Sequence, residues 1–400
     1  METVKAKPAR FESIGYALTS NIRQYAMLIA LIFIMVFFQI ATNGILLVPM
    51  NVTNLILQNS YVLILAIGMT LCILTGGNID LSVGSVAAFI AAVVGTMVIG
   101  KKIDVTLAIM IGLLLGAVIG IWQGFWIAYA RMPAFIVTLA GMLLFRGLTN
   151  TILKGLTLSP FPKSFQSISS GYIPDLFSFL GAQFNLTPLV VSMVLSIFFI
   201  FSQIKKRRAK LKNDTELIPN SLFIVQLLVT VLAINLFAYW LAAYKGIPII
   251  LVILGVLIFA YHFFTTKTVP GRYIYAMGGN EKAAGLSGID TNKVLFLVYL
   301  NMSVLAAVAG ITFAARTDSA FPLLGSNFEL DAIAACFIGG ASATGGIGTV
   351  IGAIIGALVM GVLNNGMSIM GVGADWQMSI KGFVLLMAVA FDVYSKNKSK

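Results

Sequence analysis

The sequence predicts an all-α integral membrane protein with about ten to twelve transmembrane helices. Three observations predict it. Hydrophobic residues make up 59% of the chain and charged residues only 10%, against roughly 25% charged in an ordinary soluble domain. The mean hydropathy is +0.98. Apolar runs long enough to cross a hydrocarbon core of roughly 30 Å recur from one end to the other.

Lys and Arg number 26 against 14 Asp and Glu, a net charge of +12. In a soluble protein that excess would raise nucleic acid as a partner. Here the basic residues cluster between apolar runs, so membrane topology accounts for them, and the expected partner is the lipid bilayer.

Residues 1–24 are polar and basic, with Lys5, Lys7, Arg10 and Arg23, and are expected to form a cytoplasmic N-terminal segment. No small-residue cleavage site precedes the first apolar run, which is therefore expected to be retained. Candidate spans follow at Tyr25–Ile40, Leu55–Leu74, Leu81–Ile99, Val105–Tyr129, Ala134–Leu153, Leu186–Ile204, Leu222–Tyr244, Ile247–Phe264, Val294–Ala315, Val350–Met370 and Met378–Val393. Helices suit such runs because lipid leaves no partner for an open strand. Residues 25–394 read as a single transmembrane domain, and residues 395–400 as a cytoplasmic tail.

Loop charges set the orientation. With the N-terminus inside, Arg131, the run Lys205, Lys206, Arg207, Arg208, Lys210 and Lys212, and the set Lys267, Arg272, Lys282 and Lys293 all fall inside. The charge-poor loop Lys154 to Asn185 falls outside, in keeping with the positive-inside rule. To bring Lys396, Lys398 and Lys400 inside as well, one more crossing is needed between Arg316 and Val350. The candidate is Leu330 to Gly340, too short and glycine-flanked for an ordinary span, so a broken or re-entrant helix is expected.

An internal repeat is also visible. Ile79-Asp80-Leu81-Ser82-Val83 opens one apolar segment and Glu329-Leu330-Asp331-Ala332-Ile333 another. Ile111, Gly112, Gly116 and Ala117 correspond to Ile351, Gly352, Gly356 and Ala357. By the topology above the two Asp-led segments run in opposite directions, and an inverted repeat would place their starts near the midplane. Small-residue spacing of this kind is also ordinary helix packing in membranes.

Asp80 and Asp331 carry most of the functional signal, because a carboxylate beside an apolar span is costly and marks a candidate site. Each is also well placed to cap a helix N-terminus, and capping is the favoured role for both. Ser82 and Ser85 sit just beyond Asp80, and Asn364 and Asn365 within a late span. The asparagines, with Asn301, suit hydrogen bonds either to a polar solute or from helix to helix. Gln123, Trp122 and Trp126 pose the same choice.

Enzyme chemistry is not indicated. There is no GxxxxGK[ST] loop, no HExxH and no nucleophile elbow, and no metal site or cofactor is expected. Cys72 and Cys336 lie in apolar stretches and read as packing residues. His262, beside Tyr261, Phe263 and Phe264, reads as part of an interfacial aromatic belt.

Between the runs Ile247–Phe264 and Val294–Ala315 lies a polar, glycine-containing island, GRYIYAMGGNEKAAGLSG, Gly271 to Gly288. Asn280 to Ala284 read as a short helix with an Asn cap, and Gly285 and Gly288 stand at its far end. Its Ala and Gly faces would let another backbone approach closely. A solvated connector is the plainer reading.

Five segments resemble the permease subunits of bacterial ABC importers for monosaccharides, the ribose, galactose and xylose group: GGNIDLSVGS (Gly76 to Ser85), MPAFIVTLAGM (Met132 to Met142), GRYIYAMGGNEKAAGLSGI (Gly271 to Ile289), FELDAIAACFIGGASATGGIGTVIGAIIGA (Phe328 to Ala357) and LNNGM (Leu363 to Met367). The resemblance covers nearly the whole chain. The opening Asn21 to Ile40 and the spans around Lys205 look most like the multiple-monosaccharide or xylose-type permeases. GGNID is one residue longer than the GGID spacing of such chains.

The resemblance implies a permease domain over 25–394 that works by alternating access together with three kinds of partner. These are a periplasmic or lipoprotein sugar-binding protein, a cytoplasmic ATPase subunit with two nucleotide-binding halves, and a second permease copy. It implies that the loop 265–293 couples to the ATPase through Gly271, Ala276, Gly278, Asn280, Ala283, Ala284 and Gly288, which displaces the connector reading. For the translocation pathway the expected residues are Asp80, Ser82, Ser85, Asp331, Asn364 and Asn365. An ion-coupled secondary sugar transporter would share the repeat and the Asp residues without needing a docking helix.

Overall fold

The computed structural model describes residues 22–180, 184–212 and 219–398, the side chains at 22–26, 180, 212 and 391–398 excepted. Residues 1–21 of the expected cytoplasmic N-terminal segment, with Lys5, Lys7 and Arg10, and residues 399–400 of the expected tail lie outside the described residues. Fifteen helices follow in chain order: α1 (Ile22–Ala41), α2 (Pro49–Leu74), α3 (Val83–Gly95), α4 (Val105–Gly124), α5 (Ala134–Leu153), α6 (Lys163–Ser170), α7 (Leu186–Lys212), α8 (Asn220–Ala242), α9 (Ile249–Lys267), α10 (Val269–Gly279), α11 (Glu281–Leu286), α12 (Thr291–Thr317), α13 (Phe328–Ile338), α14 (Val350–Ile369) and α15 (Ala374–Lys398). Among the described residues, 9 helices are long and apolar enough to cross a membrane. The predicted all-α class is the observed one. The short segment expected between Arg316 and Val350 is α13, a helix of 11 residues.

The chain divides into two compact units. One contains α7 and α8, a helical hairpin whose apolar sides face outward, with Val194, Phe198, Leu228 and Leu232 all exposed. Polar pairs tie its two helices together: Ser192 Oγ donates to Asn235 Oδ1 and Asn235 Nδ2 to Ser196 Oγ, each at 3.0 Å. Lipid is as apolar as leucine, so packing and hydrogen bonds of this kind, not hydrophobic burial, hold such pairs. Asp175 caps α7 from a distance in sequence. Its carboxylate accepts from Thr187 Oγ1 at 2.8 Å and from the backbone N–H groups of Phe177, Leu186 and Thr187.

The other unit is built on α12, whose faces meet α3 and α4 closely because glycines remove the side chains between them. On α4, Gly116, Gly120 and Gly124 recur at one side; a Cβ on Gly120 would stand 2.6 Å from Leu300 Cα and one on Gly116 2.7 Å from Ala307 Cβ. Gly310 of α12 faces the Ala87 carbonyl of α3, 2.2 Å from where its Cβ would lie. The α13–α14 pair repeats the device, with Gly356 against the Ala335 carbonyl and Gly352 against that of Gly339. The glycines read as repeat markers are thus contact points between helices. Cys72 and Cys336 are free and fully buried, the packing role expected of them.

At Asp175, partial burial works against the charge, but the Thr187 hydroxyl and three N–H groups together hold the carboxyl below its ordinary range. A lowered folded-state pKa adds stability that is present above the unfolded value, about 3.9, and is lost as pH falls through the folded one. Asp175→Asn is therefore expected to lower the thermal midpoint of the detergent-purified chain at pH 7, with the gap closing below about pH 4. A midpoint difference that persists unchanged in acid would contradict this assignment.

Candidate functional site

The predicted surface island folds as two short helices. Pro270 near the start of α10 and the Thr268 side chain, which accepts from the Gly271 N–H at 3.2 Å, begin the first. It covers residues that sequence reading left without structure. Asn280 interrupts it in an extended conformation, and its Oδ1 accepts from the Ala283 N–H at 3.0 Å to cap α11, as expected.

The motif residues then divide by facing. Gly271 and Gly278 turn inward. A Cβ on Gly271 would meet the Phe264 carbonyl at 2.2 Å, and one on Gly278 the Leu74 carbonyl at 1.7 Å. Ala284 is buried, whereas Ala276, Ala283 and Gly288 are exposed. Leu286, which sequence reading passed over, is 92% exposed on α11. Arg131, from the link between α4 and α5, pairs with Glu281 at 2.7 Å and ties α11 to that link. A short capped helix thus offers small residues and one large apolar side chain to solvent, from a base that is packed.

That base is a junction of backbones. The Gly346 N–H donates to the Leu74 carbonyl at 3.1 Å, the end of α2, where Gly278 also sits. Gly77 lies against the Ala343 carbonyl, and Gly345 against Gly76. Tyr275 of α10 donates its hydroxyl to the Gly348 carbonyl at 2.9 Å, and burial pushes its phenol up, keeping it protonated as a donor. Residues 75–79, 341–348 and the end of α10 thereby meet largely through backbone, with the Tyr275 side chain as one bridge. Gly77, at φ +78°, also takes a backbone conformation that L side chains avoid.

The segment that leaves this junction leads to Asp80. Its Oδ1 accepts from the Ser82 N–H at 2.8 Å and the Ser82 hydroxyl at 2.6 Å; Ser82, not Asp80, holds the cap position of α3, so the capping role expected of Asp80 is not the one it takes. Gln123 of α4 donates to Ser82 Oγ at 2.7 Å, and Ser303 of α12 reaches Gln123 Oε1 at 3.5 Å. Asp80, Ser82, Gln123 and Ser303 are all buried, and Asp80 Oδ2 has no hydrogen-bond partner among the described residues. Ser85 is turned into its own helix, donating to the Ser82 carbonyl. Gln123, ambiguous in sequence, is the middle of this relay, while Trp122 and Trp126 are exposed.

Asp331 corrects its expected capping role. It lies in the first turn of α13, beyond the cap position Asn327, and its carboxylate is used otherwise. Tyr61 of α2 donates to Oδ2 at 2.8 Å, and Lys381 of α15 pairs with Oδ1 at 2.9 Å, the two side chains being 20% and 5% exposed. Tyr61 stacks in turn on Phe328, ring centroids 3.8 Å apart. A lysine inside the last apolar run is the signal that could have found this pair, because a charge at that depth needs a partner. The two Asp-led segments begin side by side: a Cβ on Gly84 would stand 2.1 Å from the Gly325 carbonyl and 2.5 Å from Glu329 Oε2. Asn365 Nδ2 faces Gln58 Oε1 of α2 at 3.5 Å.

A multi-pass helical body, broken helices whose starts meet inside it and a rigid helix presented at its surface define a membrane permease. The chain belongs to the family of branched-chain amino acid transport system permease components, which matches residues 51–389. It is 38% identical over 380 residues to the xylose transport system permease protein of Haemophilus influenzae, covering 94% of this chain and 98% of that one. It is 35% identical over 342 residues to the ribose import permease protein of Escherichia coli strain K12, covering 86% and 85%. A ribose import permease protein of Bacillus subtilis strain 168 is 36% identical over 363 residues, 90% of each chain. No solved structure matches the chain.

Removing one partner of a buried ion pair leaves the other charge uncompensated, at about 3–5 kcal/mol. Lys381→Met is accordingly expected to lower the thermal midpoint of the purified chain sharply, and adding Asp331→Asn to recover more than half of the loss. A double variant no better than the single would show that the pair does not hold α15 to α13.

Proposed function

We propose that this chain is the membrane-spanning subunit of an ATP-driven, binding-protein-dependent importer of monosaccharides, xylose or several pentoses and hexoses, working by alternating access. The observation that carries the reading is α11: a capped helix with Ala283, Gly285 and Leu286 exposed, seated on a glycine junction that leads to both Asp-led segments. The family and the xylose and ribose relatives support the substrate class.

In this reading a separate cytoplasmic subunit with two nucleotide-binding halves hydrolyses ATP and receives α11 in a groove. Closure of that subunit pushes α11 and α10 as one body, because Arg131, Ala284 and Gly278 fix them to the chain beneath. The push reaches residues 75–82 and 339–349 through backbone contact, where no flexible side chain can absorb it. The Ser303–Gln123–Ser82–Asp80 relay and the Asp331 cluster stand where those segments lead. Opening there would expose hydroxyl, amide and carboxylate groups, the set that hydrogen-bonds sugar hydroxyls.

A sugar-binding protein, periplasmic or lipoprotein, would deliver substrate at the outer face, and a second copy of the chain would complete the pathway as a homodimer. Residues 25–394 form the permease domain, with the coupling loop 265–293 and both termini, 1–24 and 395–400, on the cytoplasmic side of a bacterial inner membrane.

Uptake of labelled xylose, glucose and galactose by cells with and without the chain tests the reading. Uptake that requires the chain, stops on ATP depletion and survives a protonophore is expected; loss to the protonophore with ATP maintained would overturn it. Ala283→Arg and Leu286→Asp, both on the exposed face of α11, are expected to cut uptake at least tenfold (about 1.4 kcal/mol of coupling) at unchanged membrane abundance. Full uptake in both would return α11 to a simple connector.

A further inference from the structure

Three carboxylates stand around the starts of α3 and α13: Asp80, Asp331 and Glu329. Asp80 is fully buried, with Oδ1 given to Ser82. Asp331 is buried and has both oxygens taken, by Tyr61 and Lys381. Glu329 differs from both. It is partly exposed, and among the described residues its carboxylate meets no donor but its own backbone N–H and joins neither ion pair. Its Oε2 lies across the start of α3, in space that a Cβ on Gly84 would fill.

Arg146 of α5 is a nearby cation. Each charge acts on the other, although no ion pair joins them among the described residues. Arg146 Nη1 donates to the carbonyls of Pro322 at 3.0 Å and Leu324 at 2.7 Å, which holds the segment before α13 against α5. Asp318 pins the other end of that segment, accepting from the Phe161 N–H at 2.7 Å and Gln166 Nε2 at 3.0 Å. The start of α13 is therefore fixed in place, and the guanidinium keeps donors to spare beyond Nη1. Arg146 is the thirteenth of the 20 residues of α5, which at 1.5 Å per residue puts it roughly 18 Å from one end of the helix and roughly 10 Å from the other. A carboxylate at that depth faces a polar space within the bundle and not lipid, where its charge would have no partner.

We propose that Glu329 is the carboxylate that meets the transported sugar, accepting from two neighbouring hydroxyls between the starts of α3 and α13 while Arg146 donates to a further sugar oxygen. A carboxylate has two acceptor oxygens and a guanidinium several donors in one plane, the groups that read a polyol. Asp80 and Asp331, expected to line the pathway, then shape it from behind: their oxygens are buried or already bonded, and Glu329 alone of the three is both open and unshared. That the ligand is a sugar rests on the function proposed above.

The test begins with cysteine labelling of the detergent-purified full chain. Cys72 and Cys336 are fully buried, so the parent chain is expected to react slowly with a hydrophilic methanethiosulfonate reagent. Glu329→Cys is expected to react about tenfold or more faster, with saturating xylose abolishing the gain and leucine leaving it intact. In cells, Glu329→Gln, which keeps the shape and removes the charge, is expected to cut xylose uptake about tenfold or more, at unchanged abundance and thermal midpoint. Glu329→Asp is expected to recover part of that loss. A cysteine at 329 that does not react, that reacts equally with xylose present or that leucine protects, or full uptake in Glu329→Gln, would overturn the proposal. So would a loss of uptake matched by a lower midpoint, which makes Glu329 a packing residue. Labelling does not depend on the energy source: uptake lost to a protonophore would sink the ATP-driven reading and leave the xylose protection standing, while ATP-driven uptake undiminished in Glu329→Gln would sink this proposal alone.

Discussion

A polar group inside this chain must find its partner inside the chain, because the surrounding hydrocarbon offers none. The relay from Ser303 through Gln123 and Ser82 to Asp80 answers that demand across α12, α4 and the approach to α3 for every side chain in it, though among the described residues Asp80 uses only Oδ1. It can form only where the helices come close enough for side chains of this length to touch. The glycines of α4 allow that approach, so the polar relay and the glycine contacts are one construction. The hydrogen bonds set which way the helices face, and the absent side chains set how near they come.

The same economy operates at the base of α10 and α11, with backbone in place of side chains. Gly278 lies on the Leu74 carbonyl, which already accepts from Gly346, and Gly76 and Gly77 lie against Gly345 and Ala343. Contacts between backbones are stiff, since neither partner has a rotamer to change. In the proposed coupling, a displacement of α10 would therefore be passed to residues 75–79 and 341–348 rather than taken up locally. The Asp331–Lys381 pair joins α13 to α15.

Much of this was legible in the residues. The membrane class followed from composition and from the apolar runs. The cap of α11 followed from Asn280, and the short helix near Leu330 from a charge argument that demanded one more crossing than ordinary spans supplied. The island Gly271 to Gly288 was singled out because it is polar between apolar neighbours. Its first half reads as loop in the sequence, although α10 runs through it. Glycines at 271, 278 and 279 argue against a helix on propensity, and tertiary contact outweighs them: two of the three give up a side chain so that the helix can sit on its neighbours.

Asp331 shows where the sequence stops. A carboxylate at the head of a short apolar segment reads as a cap, and nothing local opposes that. Its partners, Tyr61 and Lys381, are separated from it by 270 and 50 residues, and only the packing of α2 and α15 against α13 brings them within bonding distance. Gln123 is the same case, an amide with two plausible roles until α3 and α12 arrive on either side. Hydropathy, caps and loop charge are properties of neighbours in the chain, so the sequence by itself determined the class, the short helices and the surface segment. Which buried polar group meets which depends on contacts between residues far apart in the chain, and those the tertiary structure alone decided.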